Sequence, residues 1–363
     1  MSLDNLREEI DRLDRKMVEL IAERVEIAKQ IGIVKNNRGI KIEDTDREKL
    51  VFEKVRNRAK IQELSPDHIE NIYRRIIETC KNVQQTTRVA FQGEIGAYSE
   101  EAAFNYFGDA AEIVPYDSFD KVFKAVSEGD AEFGVVPVEN SLEGSISQVY
   151  DLLLDSPLRV YGEVKLRVVH CLIANLDTQL GLIKKVYSHP QALGQCRNFL
   201  RHMNFELIPS YDTAGSVKMI KEKGLEDGAA IASARAAEIY GMNIISKGIE
   251  DNPNNFTRFF VLSSKDASSS GNNKASIVFS VKHKPGALYL SLRELALRNI
   301  NLTKIESRPT RQKPWEYNFY LDCEGYKNEK ELYEALDILE KNSIFVKLLG
   351  SYPRAEHETR GTK

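Results

Sequence analysis

The chain has 363 residues, with 51 Lys and Arg against 54 Asp and Glu, a formal net charge of −3, and 42% hydrophobic residues. That length exceeds one ordinary core and implies two or three domains. The even charge gives no bulk reason to expect a nucleic-acid or membrane-surface partner. The opening MSLDNLREEIDRLD is charged from its start and no run of 18 apolar residues occurs, so neither a signal peptide nor a membrane span is expected. Cys80, Cys171, Cys196 and Cys323 lie singly, which favours reduced thiols and a cytoplasmic location. His and Cys never fall at metal-ligand spacing, and no metal or other cofactor is expected.

Up to about residue 85 the pattern is helical throughout. Leu6, Ile10, Leu13, Met17, Leu20, Arg24, Ile27, Ile31 and Val34 recur at alternating steps of four and three, a heptad seam. A second helix is predicted from near Asp46. A third opens at Ser65-Pro66-Asp67, an N-cap followed by Pro at the first helical position. Three such helices cannot enclose a core alone, so a helical homodimer is expected.

From Val89 short apolar runs alternate with helices: RVAFQG, AEIVPY, EFGVVPV, KVYSHP, FELIPS, GAAIAS and RFFVLS, with helices over 118–128 and 214–223. This predicts an α/β domain of two lobes with a cleft. The run SSKDASSSGNN over 263–273 reads as a linker. After it, strand, helix, two strands, helix and strand give a βαββαβ order of the ferredoxin-like class. The expected domains are 1–87, all-α; 88–264, α/β; and 274–355, ferredoxin-like.

Within the helical seam, Arg24 stands where Leu or Ile is wanted. Lys35 follows eleven residues later, ~20° round the same face and ~16 Å along the axis, so both cations can converge on one anion. Arg7 lies about 100° away from Arg24 around the helix and faces elsewhere. LREEIDRLD, LIAERVEIA, IGIVK, the DTDRE run and IIETCKNVQ, in that order, resemble the all-helical chorismate mutase family. The resemblance places that family's active-site residues on Arg7, Arg24, Lys35, Asp44, Arg47, Glu48, Cys80 and Gln84, with Cys80 departing from a common Ser. It implies that Arg7, Arg24 and Arg47 clamp carboxylates, Lys35 and Gln84 face the ether oxygen, and Glu48 with Asp44 holds the hydroxyl. It also implies that one arginine crosses from the partner subunit. Chorismate-to-prephenate rearrangement needs no nucleophile and no proton transfer. A folded dianion and donors at the ether oxygen, where negative charge grows, suffice.

In the middle segment, polar clusters stand at strand–helix junctions. GEIGAYS (93–99) carries Ser99 as expected N-cap and free backbone N–H groups suited to a carboxylate. VVPVENS ends in Glu139, Asn140 and Ser141. SHPQALGQC holds Ser188, His189, Gln191 and Gln195. Asp212 or Thr213 opens a helix, and NNFTRFF carries Thr257 and Arg258. GAYS, PVENS, SHPQA with QC, DTA and TRF, in order, look like the prephenate dehydratase family, whose members remove water and CO₂ from prephenate to give phenylpyruvate. By that resemblance Thr257 contacts the leaving hydroxyl, Arg258 anchors a carboxylate, and Asn140, Ser188 and Gln195 are positioning donors. Glu139 and His189 are the ionisable candidates for proton transfer within these motifs.

In the last segment, HKPGALYLSL and KIESRPT resemble the amino-acid-binding signatures of ACT regulatory domains. This implies an L-phenylalanine site at Gly286, Ala287 and Leu288, with Glu306, Ser307 and Arg308 on a facing strand. The three resemblances together imply a bifunctional enzyme of phenylalanine biosynthesis under feedback inhibition by its end product, with chorismate and prephenate as substrates. Whether dimers pair into tetramers stays open. The rival is a non-catalytic two-lobed aromatic-acid or amino-acid sensor whose helices only dimerise.

Overall fold

The computed structural model describes residues 3–37, 44–82, 87–109, 111–310 and 316–355. The chain divides into two compact units, 1–87 and 88–363.

The first unit is three helices: α1 (Leu3–Asn37), α2 (Thr45–Ile61) and α3 (Pro66–Asn82). Asp44 caps α2, its side chain accepting from Arg47 N at 2.9 Å, which satisfies one of the N–H groups a helix start leaves over. Pro66 suits the first turn of α3 because no N–H is needed there. Val55, Ala59, Ile77 and Cys80 are buried. The α1 seam is not: Leu6, Ile10, Leu13, Met17, Leu20, Ile27, Ile31 and Val34 are all exposed, Leu20 at 61%. α1 is 35 residues long, or ~52 Å at 1.5 Å per residue, against 17 for each partner helix. Shorter neighbours cannot cover it.

The second unit begins β1 (Arg88–Gln92), α4 (Tyr98–Phe107), β2 (Glu112–Tyr116), α5 (Phe119–Glu128), β3 (Phe133–Asn140), β4 (Gly144–Ser145), α6 (Ser147–Asp155) and β5 (Arg159–Arg167). It continues with β6 (Cys171–Ala174), β7 (Lys185–Ser188), α7 (Pro190–Gln195), α8 (Arg197–Arg201), β8 (Glu206–Pro209), α9 (Thr213–Lys223), β9 (Gly228–Ala232), α10 (Ala234–Tyr240), β10 (Asn243–Lys247) and β11 (Phe256–Ser263). The first sheet runs β2-β1-β3-β11-β5, with β4 on β3. The second runs β10-β6-β9-β7-β8. The chain leaves the first sheet after β5 and returns to it through β11, so residues 168–170 and 248–255 form two crossings between the lobes.

The seven expected strands are present. β4, β5, β6 and β10 are additional to them: β4 is only two residues long, RVYGEVKLR mixes charges into its alternation, and CLIA is too short to separate from its surroundings by pattern.

The last elements are β12 (Asn273–Ser280), α11 (Ala287–Ala296), β13 (Leu302–Pro309), β14 (Tyr317–Glu324), α12 (Lys330–Asn342) and β15 (Phe345–Pro353). They form an antiparallel sheet β13-β14-β12-β15, the expected βαββαβ order. One face packs under α11 and α12 through Ile277, Phe279, Leu295, Leu321 and Leu332. The other face carries Val278, Tyr320, Leu349 and Tyr352 into the same core as Val136, Val138, Phe260 and Leu262 of the first sheet. The stretch 263–273 is therefore no loose linker. Tyr326 Oη donates to Ala267 O at 2.6 Å and Ala267 is buried. The contact is close enough to require Gly350, since a Cβ there would lie 2.2 Å from Val160 O.

Candidate active sites

In the helical unit, Arg24 Nη1 donates to Cys80 Sγ at 2.7 Å, joining α1 to α3. Glu48 Oε1 on α2 pairs with Lys81 Nζ, the neighbour of Cys80, at 2.7 Å. Arg24, Glu48 and Cys80 thus stand near the meeting of the three helices, while Asp44 is engaged as the α2 cap and Arg47 is exposed beside it. Lys35 is half-buried in the last turn of α1. Gln84 lies outside the described residues. Arg7 is exposed and approaches Asp4 at 3.8 Å among the described residues. It is ~25 Å along the same helix from Arg24, beyond the reach of one arginine, as its separate angular position already required.

In the second unit a cavity of about 200 Å³ opens between the lobes, small beside the ~300–1,000 Å³ of sites for drug-sized ligands. Gln92, Asn140 and Thr257 enter it from strand ends of the first sheet. His189, Gln191 and Gln195 come from α7, Tyr211, Asp212 and Thr213 from the start of α9, and His170 from a crossing. The second lobe is tied to the 93–97 loop by Tyr211 Oη and Lys218 Nζ, each 3.0 Å from a Glu94 oxygen.

Asn140 and Thr257 are opposite one another across the β3–β11 ladder. Asn140 Nδ2 donates to Thr257 Oγ1 (3.1 Å) and to Asn255 Oδ1 (2.8 Å), while its Oδ1 accepts from Leu142 N and Glu143 N. All four of its hydrogen-bonding places are filled from within the chain. Asn140 is therefore not a substrate donor, as the sequence suggested, but the group that orients Thr257. Because Thr257 Oγ1 accepts from Asn140, its own O–H is left to donate into the cavity. Gln195 Oε1 takes hydrogen bonds from Asn255 Nδ2 and from His170 Nε2, both at 2.9 Å, so the Gln195 amide nitrogen is its donor on the cavity side.

Several expectations are corrected here. Arg258 follows Thr257 on β11 and so points through the opposite face of the sheet. Its guanidinium contacts Asp322 Oδ2 at 2.6 Å, Glu139 Oε2 at 3.2 Å and Glu163 Oε2 at 3.5 Å. Glu139, its cross-strand neighbour, also pairs with Lys304 Nζ at 3.1 Å. Neither Arg258 nor Glu139 lines the cavity, which removes the expected carboxylate anchor and one of the two expected proton donors. No Lys or Arg is among the described residues lining it. Ser188 is fully buried below the cavity, its Oγ donating to Ile231 O at 2.6 Å, so it ties β7 to β9. Ser99 does not cap α4, which starts a residue earlier. The Gly96 N–H expected for a ligand carboxylate is taken by Glu100 Oε2 at 2.9 Å.

His189 caps α7, accepting from Gln191 N at 3.3 Å, and lines the cavity. Asp212 caps α9, accepting from Gly215 N at 2.7 Å, and burial raises its carboxyl above the ordinary range. Sequence reasoning passed over His170 and Asn255. The signal in the sequence is slight: His170 interrupts the apolar run RVVHCLIA, and Asn255 stands two residues before Thr257 in NNFTRFF.

The charges behind the sheet form a network. Lys274 Nζ reaches Glu163 Oε2 at 2.9 Å and Ser276 Oγ donates to Asp322 Oδ1 at 2.6 Å. Burial alone would raise the Asp322 carboxyl, but Arg258 and Lys274 reverse this and hold it below the ordinary range.

In the last module, Ala287 and Leu288 line a cavity of about 130 Å³ with His283, Tyr317 and Phe319. Gly286 opens α11 at φ +80°, a conformation that favours glycine. Glu306 and Arg308 do not face that cavity within the chain. On alternating β13 they turn toward the first sheet, Glu306 bonding Ser145 Oγ and Arg308 reaching Ser147 O at 2.6 Å and Asp151 Oδ1 at 3.2 Å. Ser307 is on the other face and exposed.

Residues 6–85 match the chorismate mutase type II family and residues 89–267 the prephenate dehydratase family. A bifunctional chorismate mutase/prephenate dehydratase of Aquifex aeolicus is 38% identical over 97% of this chain and 98% of its own length. The arogenate dehydratase/prephenate dehydratase 2 of Arabidopsis thaliana is 45% identical over 73% of this chain and 72% of its own. The solved prephenate dehydratase of Arthrobacter aurescens in complex with L-Phe is 31% identical, covering 74% of this chain and 90% of that one with a TM-score of 0.68. A helical unit with cations at its helix junction and a cleft of amide and hydroxyl donors define a two-site enzyme, an isomerase joined to a carbon–oxygen lyase. The chain belongs to the bifunctional chorismate mutase/prephenate dehydratase family.

Proposed function

We propose that the two activities divide between the two units, with chorismate rearranged among Arg24, Lys35, Arg47, Glu48 and Gln84 and prephenate converted in the cavity at Thr257. The observation that carries the second assignment is the Asn140–Thr257 bond. It leaves the threonine O–H as a fixed donor toward a leaving hydroxyl. As the ring C–O bond breaks, that oxygen takes up a proton and departs as water. The ring carboxylate departs as CO₂, its electron pair entering the ring, and aromatisation drives the step. A cavity of neutral donors suits this chemistry, because a cation tightly paired with the departing carboxylate would favour the ground state.

For the mutase, the exposed α1 seam and the distance between Arg7 and Arg24 support a homodimer in which Arg7 completes the partner's site. We read 274–355 as an ACT regulatory module taking L-phenylalanine beside Gly286, Ala287 and Leu288, a reading supported by the L-Phe complex of the Arthrobacter aurescens relative. Its Asp322 and Lys304 hold Arg258 and Glu139, the backbone neighbours of Thr257 and Asn140. A shift of that sheet on effector binding would thus reach the donors directly.

The test incubates the purified chain with chorismate, following chorismate loss and phenylpyruvate formation with and without phenylalanine. Phenylpyruvate that appears, and falls with phenylalanine, is the expected result. Prephenate accumulating alone sinks the cleft assignment. Phenylalanine binding without turnover would favour the sensor.

A further inference from the structure

His170 belongs to none of the motifs that carry the family likeness, yet it occupies the crossing from which both lobes can be held. Its backbone is fixed from several sides: His170 N donates to Glu250 Oε2 at 3.0 Å, and His170 O accepts from Gly248 N and Ile249 N. The imidazole is 2% exposed and lines the cavity. Nδ1 lies 3.1 Å from Tyr98 Oη of the first lobe, and Nε2 lies 2.9 Å from Gln195 Oε1 of the second. From Gln195 the chain of hydrogen bonds continues through Asn255 and Asn140 to Thr257 Oγ1.

The direction of that chain is over-determined. Asn140 Oδ1 is pinned by two backbone N–H groups, so its Nδ2 must face Asn255 Oδ1. Asn255 must then present its Nδ2 to Gln195 Oε1. An amide oxygen facing His170 requires a proton on Nε2. Burial lowers the His170 pKa, in keeping with a neutral ring that donates from Nε2 to Gln195 and turns Nδ1 toward Tyr98 Oη, a hydroxyl that also lies 2.9 Å from Val169 O.

We propose that His170 is a positioning residue of the dehydratase reaction, its Nε2–H locking Gln195 so that the amide N–H, alongside the Thr257 hydroxyl, is presented to the substrate. The inference rests on the cavity being the dehydratase site. His170 touches no reacting atom. With Asn255 Nδ2 it supplies one of the two hydrogen bonds that fix which end of Gln195 faces the substrate, and the amide held by one of them alone rotates more freely about its last bond. Preorganised donors carry transition-state stabilisation only while their direction is fixed.

The experiment measures kcat and KM for prephenate in the full-length chain, with mutase turnover of the same preparation as the folding control. His170→Ala is expected to lower kcat about 10²-fold, within the range for losing one oriented donor, with KM changed less than about threefold and mutase turnover unchanged. His170→Leu keeps side-chain volume without a donor and should match it if the alanine variant does not fold. His170→Gln, whose amide can again offer N–H to Gln195, should recover about tenfold. Because the two residues act as one unit, the double variant with Gln195→Ala should lose no more than Gln195→Ala alone. Unchanged kcat in both His170→Ala and His170→Leu, or losses that multiply in the double variant, would overturn the proposal. Wild-type turnover by Thr257→Ala would instead overturn the cleft assignment, and the proposal with it.

Discussion

The two reaction sites solve opposite problems with opposite materials. In the helical unit the working groups are charged, and Arg7 and Arg24 stand ~25 Å apart on one helix whose apolar seam is exposed. In the cleft they are neutral amides and hydroxyls, buried and joined by a continuous hydrogen-bond chain within 88–363. A pericyclic rearrangement needs a dianion gripped and folded, which long cations can supply from several directions. An elimination with loss of CO₂ needs one donor aimed at one oxygen, with weak hold on the departing carboxylate. The lesson is that charge can be assembled loosely, whereas a neutral donor must be oriented by its neighbours.

The sharpest break of that comparison exchanges the losses. Thr257→Ala should cut dehydratase kcat by roughly 10²–10⁴-fold and leave the mutase untouched. Arg24→Ala should do the reverse, with the mutase falling by roughly 10²–10³-fold; parallel assays on each variant decide it. Next in size is Asp322→Ala. It strands Arg258 and Lys274 behind the sheet and should cost about 3–5 kcal/mol in denaturant unfolding, with loss of the phenylalanine response and mutase turnover intact. Retained inhibition in that variant would remove Asp322 from the regulatory route. Gly350→Ala should destabilise the second unit by about 1–3 kcal/mol, since backbone rather than a mobile side chain meets the new methyl.

A smaller effect follows from the lowered His170 pKa. The unfolded chain binds that proton more readily, so this contribution to stability is complete above the ordinary histidine value of about 6.5. It is lost as pH falls from there through the lower folded value. Unfolding free energies of His170→Gln measured between pH 7 and 5 should therefore change less than those of the wild type. Cys80→Ser is expected to change mutase turnover least, by no more than a few-fold, because a hydroxyl meets Arg24 at least as well as a thiol does.

Much was legible because it depends on local periodicity. Heptad spacing marked α1, Asp46 and Ser65-Pro66 marked the starts of α2 and α3 to within a residue or two, and strand-like runs marked β1, β3 and β11. The motifs also put Asn140 and Thr257 at strand ends and Gln195 beside a strand–helix junction, and all three line the cavity. What failed was the assumption that neighbours in a motif share a face. Thr257-Arg258 and Glu139-Asn140 are adjacent letters, but a strand alternates its side chains, so one of each pair faces the cavity and the other the buried charges behind the sheet.

By itself, then, the sequence determined the three helices, the α/β lobes, the βαββαβ module and the motifs that mark two chemistries, since turn signals, periods of 3.6 and 2, and residue types are local properties. Only the tertiary structure decided which polar groups are spent inside the chain and which remain for a ligand. Asn140 and Ser188 look like donors until their partners are known, Arg258 looks like an anchor until Asp322 closes on it, and His170 has no visible role until Tyr98 and Gln195 arrive from distant parts of the chain. Hydrogen-bond satisfaction is a pairwise property of groups far apart in sequence, and it is settled only when the sheets pack.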